Sequence, residues 1–256
     1  MEAILELNNI TKKYFTRSTT ISACNHISFK INSGEAVSLL GLNGAGKTTL
    51  INIISTAITP DSGTALICGF DLSDTVSIKK NIGVLHEKNP LYEQMSVKKF
   101  LHFCQNMHGD DNADFIATLC KTWALDGVLD RPIKNLSKGF KQRVGVAASL
   151  VHRPKFLILD EPTSGLDTMQ QAEFEKNIAR LLPETTLLLC THDLAQASRL
   201  CMKHIMLSCG TVFASGTIED LRQKLISENK ISNEESISDI SDEFVLKKAF
   251  EVFAEQ

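Results

Sequence analysis

No run of apolar residues in this chain approaches the roughly 18 needed to cross a bilayer. No polybasic segment offers electrostatic attachment to a membrane, and 27 basic side chains stand against 30 acidic ones. So even a balance leaves no cationic footprint for a nucleic acid, and no nucleic-acid partner is expected. The opening Met1-Glu2-Ala3-Ile4-Leu5-Glu6-Leu7 has neither the basic region nor the apolar core of an export signal. The expectation is a cytoplasmic protein, unless a partner holds it at a membrane. There is no C-x-x-C pair among the seven cysteines (Cys24, Cys68, Cys104, Cys120, Cys190, Cys201 and Cys209), and their number is odd. They read as reduced, small apolar packing residues without zinc-ligand spacing. The single Trp123 reads as packing, and no internal repeat is visible.

What is present is enough apolar material for a core: 43% of 256 residues. Short apolar runs at Ile4 to Leu7, Ile27 to Ile31, Ala36 to Leu40, Ala65 to Cys68 and Ile82 to Leu85 read as strands. Ser96 to Met107, Ala113 to Trp123 and Ser137 to Val151 read as helices, the last with Ser137 as N-cap and Pro154 just beyond its end. Phe156 to Leu159 and Thr186 to Cys190 are continuously apolar, as strands covered on both faces are. Two short strands (His204 to Ser208, Thr211 to Ala214) precede a further helix. The implied fold is α/β: a mostly parallel sheet with helices on both faces, interrupted by an early β-rich part and a helical middle, about 88–152. Residues 227–243 turn to Ser, Asn, Glu and Asp and read as an acidic linker. Residues 244–256 follow, with Leu246, Phe250 and Phe253 at helical spacing, a C-terminal helix expected to be dispensable for nucleotide chemistry because every nucleotide motif precedes it.

The sharpest motif is Gly41-Leu42-Asn43-Gly44-Ala45-Gly46-Lys47-Thr48-Thr49, which fits G-x-x-x-x-G-K-S/T between an apolar strand and a helix. Its glycines let several backbone N–H groups face one concavity at a helix N-terminus, a seat for phosphates. Lys47 supplies a point charge for the terminal phosphates, and the Thr48 hydroxyl is placed to hold Mg²⁺. The strand Phe156 to Leu159 ends in Asp160-Glu161. Asp160 is expected on Mg²⁺, and Glu161, pointing differently, on an attacking water. Two adjacent carboxylates at a buried strand end are costly without a cation nearby.

Three further segments accompany this pair: Asn135-Leu136-Ser137-Lys138-Gly139-Phe140-Lys141-Gln142-Arg143, Pro162-Thr163-Ser164-Gly165-Leu166-Asp167, and His192 behind an apolar strand. In that order, from about Leu5 to about Leu225, they resemble the nucleotide-binding subunit of an ABC transporter. The resemblance implies a P-loop NTPase with a RecA-like core sheet, an antiparallel β subdomain and a helical signature subdomain, in a nucleotide-binding domain spanning 1–226. It makes Leu136 to Phe140 the signature sequence, Ser164 to Asp167 the D-loop, His192 the switch histidine, Tyr14 the ring stacked on adenine, and Glu87 the occupant of the Q-loop position on the metal. It implies a head-to-tail pair of such subunits sandwiching ATP, with Ser137, Lys138, Gly139 and Asp167 serving the nucleotide of the partner, and Glu161 with His192 as catalytic groups. It also implies a separate integral membrane permease, which would place the chain peripherally on the inner face of the cell membrane.

Lys138 and Phe140 stand where the commonest signature has glycine and glutamine, and Glu87 stands where glutamine is usual. These forms are similar to a subgroup of exporters with permeases of about six helices, including drug, sodium, polysaccharide and gliding-motility-type systems. The alternative is a soluble ABC ATPase without transport, which would typically add coiled-coil, zinc or tandem modules; a small-molecule kinase would leave Ser137 to Arg143 and His192 unexplained. Pro90, Leu91, Tyr92 and Met95 form an apolar loop that is expected to receive the permease.

Overall fold

The structure is a computed structural model that describes residues 2–16, 19–109, 112–182, 184–228 and 241–254. Most of the acidic linker (229–240) and the last two residues therefore lie outside the described residues. Two long strands, β1 (Ala3–Phe15) and β2 (Thr20–Asn32), form an antiparallel hairpin. They extend well beyond their apolar segments. Past Ile10 the partner residues are Lys12, Lys13 and Tyr14, and repeated register shifts break the alternation by which a strand is recognised. β3 (Ala36–Leu40) then enters the core and leads into α1 (Lys47–Ile54). β4 (Ser62–Ile67) and β5 (Phe70–Asp71) complete a four-stranded antiparallel sheet in the order β2-β1-β4-β5. After α2 (Thr75–Asn81), β6 (Ile82–Leu85) forms one edge of the main sheet.

A helical layer follows: α3 (Val97–Met107), α4 (Ala113–Thr122) and α5 (Lys138–Leu150). Ser96, Asn112 and Ser137 cap their N-termini, each accepting a bond from a backbone N–H three residues on. The chain returns to the sheet at β7 (Phe156–Asp160), passes through α6 (Thr168–Ala179) to β8 (Thr186–Thr191), then α7 (Leu194–Leu200), β9 (Lys203–Ser208), β10 (Thr211–Thr217), α8 (Ile218–Ser227) and α9 (Asp242–Phe253). The six-stranded sheet runs β10-β9-β3-β8-β7-β6, parallel throughout except for the β9–β10 hairpin. α6 escapes a reading of apolar periodicity because only Phe174, Asn177 and Ile178 of its residues are buried.

Strand alternation divides the main sheet's side chains between two cores. Leu157, Leu159, Leu187 and Leu189 face the helical layer with Trp123, Val144 and Phe174, while Phe156, Ile158, Leu188 and Cys190 face α1 and the antiparallel sheet. A third core is closed by α9, whose Val245, Leu246, Ala249 and Phe253 are buried against residues of α7, β9, β10 and α8. The cysteines are all free. Burial pushes the Cys24, Cys68 and Cys104 thiols up to about 11, which keeps them protonated and inert.

Candidate active site

β3, β7 and β8 lie side by side, so their C-terminal ends deliver three segments to one sheet edge: the glycine loop, Asp160-Glu161 and Thr191-His192. The loop's geometry depends on Gly46. It takes φ = 107° as the residue before α1, and a Cβ there would lie 2.1 Å from the Ala23 carbonyl oxygen. Any larger residue collides with β2 and is strained besides. The N-terminus of α1 and the loop's N–H groups thus open on one concavity.

That concavity is a cavity of about 370 Å³. Leu42 to Thr49 form its floor, Asp160, Glu161 and His192 one wall, Glu87 another, and Tyr14 its rim. Gly41, the first residue of the motif, stays behind the floor, where a Cβ would lie 2.6 Å from the Leu207 carbonyl oxygen. Lys47 is buried, and its ammonium donates to the carbonyls of Gly41 (2.6 Å) and Leu42 (3.3 Å), so the loop wraps its own cation.

Asp160 is also buried, and its Oδ2 has no hydrogen-bond partner among the described residues. Burial, then the charges of Glu161 and Glu87, push its carboxyl up to about 6, against the opposing pull of Lys47 and the Thr48 hydroxyl. A buried carboxylate with an orphaned oxygen, next to the Thr48 hydroxyl, has the chemistry that a hard divalent cation satisfies, although no cluster of three acidic, histidine or cysteine ligands is formed among the described residues. Glu161 departs from the strand direction because its backbone turns left-handed, φ = 47°. For a side chain with a Cβ this costs on the order of 1–3 kcal/mol, and such strain clusters at functional sites. The turn points the carboxylate at His192, whose Nδ1–H donates to Oε1 at 2.8 Å.

Ser137, Lys138, Gly139 and Asp167 do not line this cavity. Ser137 caps α5, Asp167 caps α6 through the Gln170 N–H (2.9 Å), and Gly139 abuts Leu166 and Gln170. Lys138 lies over Gly165 and reaches Ser164 Oγ at 3.5 Å. Two lining residues carry no motif signal, Ile21 and Ala23, and Ser164 lines the cavity from the D-loop segment. Ile21 is paired with Tyr14 across the hairpin, a register that only the folded strands reveal. Tyr14 itself is 42% exposed, with its ring available to a flat partner.

The ABC transporter family model matches residues 24–164. NatA, an ABC transporter ATP-binding protein of Bacillus subtilis, is 31% identical over 232 residues, covering 88% of this chain and 94% of that protein. A probable multidrug ABC transporter ATP-binding protein of Escherichia coli, YbhF, is 32% identical over 226 residues, but the match spans only 38% of its length and 86% of this chain. Among solved structures, an ATP-binding subunit of an ABC transporter superposes with a TM-score of 0.80 at 29% identity, over 87% of this chain and 93% of the other. A dimeric ATP-binding cassette, MJ0796, bound to ADP and Pi in a post-hydrolysis state, shares the fold with a TM-score of 0.77 at 24% identity, over 83% and 98%.

Proposed function

The chain belongs to the ABC transporter family as an ATP-binding, ATP-hydrolysing subunit, and from that premise we propose how its residues divide the work and with what it assembles. One observation carries the reading: a single cavity gathers a phosphate loop, a buried carboxylate with one orphaned oxygen and a histidine–glutamate pair from segments far apart in the chain.

The loop amides and the α1 N-terminus bind the phosphates. Lys47 exchanges its two carbonyl partners for phosphate oxygens, and Tyr14 stacks on the base. Asp160 and Thr48, with Glu87 facing them, would hold Mg²⁺. When bound, that ion neutralises charge on the phosphates. Glu161 orients and deprotonates the attacking water, and His192 holds the Glu161 carboxylate in place through Nδ1–H and contacts the γ-phosphate with its other ring nitrogen when that nitrogen also carries a proton. Glu161 and His192 are the catalytic pair.

Ser137, Lys138, Gly139 and Asp167, all on the surface outside the cavity, serve the ATP of a second subunit in a head-to-tail dimer. Because each nucleotide then touches both subunits, ATP drives association and hydrolysis releases it. The dimer powers an integral membrane permease, in the direction of export, and sits at the inner face of the membrane through that permease. The multidrug name of one relative, YbhF, supports this direction. The cleft lined by Asn89, Pro90, Leu91, Phe100, Phe103 and His152, next to Glu87, together with the exposed Tyr92 that packs on Phe100 and Phe103, is the docking surface. Asn89 ties it to the signature helix by donating to the Lys141 carbonyl at 2.8 Å.

The test is to isolate the tagged chain from membranes of its host. The expected result is co-isolation of an apolar protein of about six spans, together with ATP turnover that Glu161→Gln abolishes. Turnover with the chain confined to the soluble fraction, and no membrane partner, would replace transport by a soluble ABC ATPase.

A further inference from the structure

α7 starts two residues after His192, with Asp193 as its N-cap through the Gln196 N–H (3.0 Å). Its two faces engage different parts of the protein. On one face Gln196 is fully buried, and its amide Nε2 donates to Thr163 Oγ1 at 3.0 Å. Thr163 lies two residues beyond Glu161, with the rigid Pro162 between them. The same helix therefore carries His192 at its entrance and grips the segment that carries Glu161.

On the other face Ala197 is fully buried, with Leu194 packed beside it, in the cluster that α9 closes. Val245, Leu246 and Ala249 of α9 have no accessible surface. Leu40, the residue immediately before the phosphate loop, belongs to the same cluster. Charge reinforces the arrangement. Arg199 near the end of α7 is held by both oxygens of Glu175 on α6 (2.8 and 2.9 Å), and Glu243 in the first turn of α9 adds its field. α7 is thus clamped between α6 and α9, with its buried amide on the catalytic segment.

We infer, against the expectation from motif order that this helix is dispensable, that the C-terminal helix α9 is a positioning element for ATP hydrolysis: seated on α7, it holds the Glu161–His192 pair in register through the Gln196–Thr163 bond, and Gln196 is the positioning residue. The inference rests on the roles given to Glu161 and His192 above. A hydrogen-bonded pair 2.8 Å apart is sensitive to sub-ångström displacement, and misplacement of about 1 Å at a reacting centre costs on the order of a hundredfold. Leu40 meets this cluster only by packing, whereas the Lys47 ammonium is held by carbonyls of its own loop, so turnover is expected to suffer more than nucleotide affinity.

The experiment uses the full chain. Gln196→Met keeps the side chain's volume and removes the donor, while Leu246→Ala loosens α9 at its most buried face. ATP turnover is measured with binding of a fluorescent ATP analogue and thermal unfolding. Each variant is expected to lower kcat about tenfold with affinity for the analogue within about twofold of wild type. The double variant is expected to be no slower than the slower single one, because both act on one path. Leu246→Met, which conserves volume, restores turnover. Should Leu246→Ala fail to fold, Val245→Ala removes less and gives the same readouts. Turnover within twofold of wild type in folded Gln196→Met and α9 variants overturns the inference. So does a kcat loss matched by an equal affinity loss, or a double variant whose losses multiply. A Glu161→Gln protein that still turns over at the wild-type rate would instead remove the assignment of Glu161, and is distinguished by that measurement alone.

Discussion

His204→Gln isolates one buried titrating group and tests the packing of β9 against β3. His204 has no accessible surface, its Nδ1 is hydrogen-bonded to Ser38 Oγ at 2.8 Å, and its Nε2 has no partner among the described residues. Burial holds the imidazole down to about 4, partly offset by the charge of Asp242 on α9. In the unfolded chain the same ring titrates near 6.5. Between those values the unfolded state binds the proton and the folded state does not, so stability is full above pH ~6.5 and is lost as the pH falls toward 4. At pH 5 the loss from this one ring is about 2 kcal/mol, and at pH 7.5 it is close to zero. Asp160, pushed up to about 6, acts in the opposite sense, since its folded carboxyl keeps a proton that the unfolded chain has already released. His152, stacked on His108 at 3.7 Å between ring centroids and also held down to about 4, adds acid lability of its own. Both contributions are common to the variant, so the informative quantity is the difference between the two proteins. Urea unfolding of the ligand-free chain should show that the cost of His204→Gln is smaller at pH 5 than at pH 7.5 by about 2 kcal/mol. An equal cost at the two pH values would refute the reasoning, because it would mean that His204 is charged, or solvated, in the folded protein.

Lys47→Ala should weaken ATP binding at least about tenfold by titration calorimetry while leaving thermal unfolding of the ligand-free protein close to wild type, since the ammonium's partners in the free protein are carbonyls of its own loop. Affinity unchanged by that substitution would sink the phosphate-loop assignment. Glu161→Gln should retain ATP binding, lower turnover by about a hundredfold or more, and shift the ATP-bound protein toward a dimer in size-exclusion chromatography; residual turnover near wild type would mean that another group activates the water. Tyr14→Ala should lower affinity for ATP by about 1–3 kcal/mol and leave binding of inorganic triphosphate unaltered, and an equal loss for both ligands would show that the ring supports the loop rather than the base. Tyr92→Ala should reduce recovery of the membrane partner with nucleotide affinity preserved. Tyr92 is the cleaner probe of that surface because it is largely exposed, with edge contacts to Phe100 and Phe103, whereas Leu91 and Met95 pack into the helical layer's core and a charge at Met95 would damage the fold.

The sequence by itself determined the chemistry and the class of fold. Chemistry was legible because a phosphate seat needs glycines, a lysine and a hydroxyl at consecutive positions, and a local motif survives without knowledge of what packs around it. The buried parallel strands were legible because strands covered on both faces must be apolar without interruption, as Phe156 to Leu159 and Thr186 to Cys190 are. Strand length in the β1–β2 hairpin was not, since polar residues and register shifts erase period two beyond Ile10. Tertiary structure alone decided which separated segments meet. The order of β3, β8 and β7 brings Lys47, His192 and Asp160 to one edge, although more than a hundred residues separate the first from the last two. It decided the left-handed turn that aims Glu161 at His192, the absence of Ser137 and Asp167 from the cavity, and the pairing of Ile21 with Tyr14. It decided above all the place of α9. Helical spacing at Leu246 and Phe253 announces a helix that must bury a face, but the identity of the surface it covers depends on contacts across the whole chain, and here that surface includes the helix behind His192.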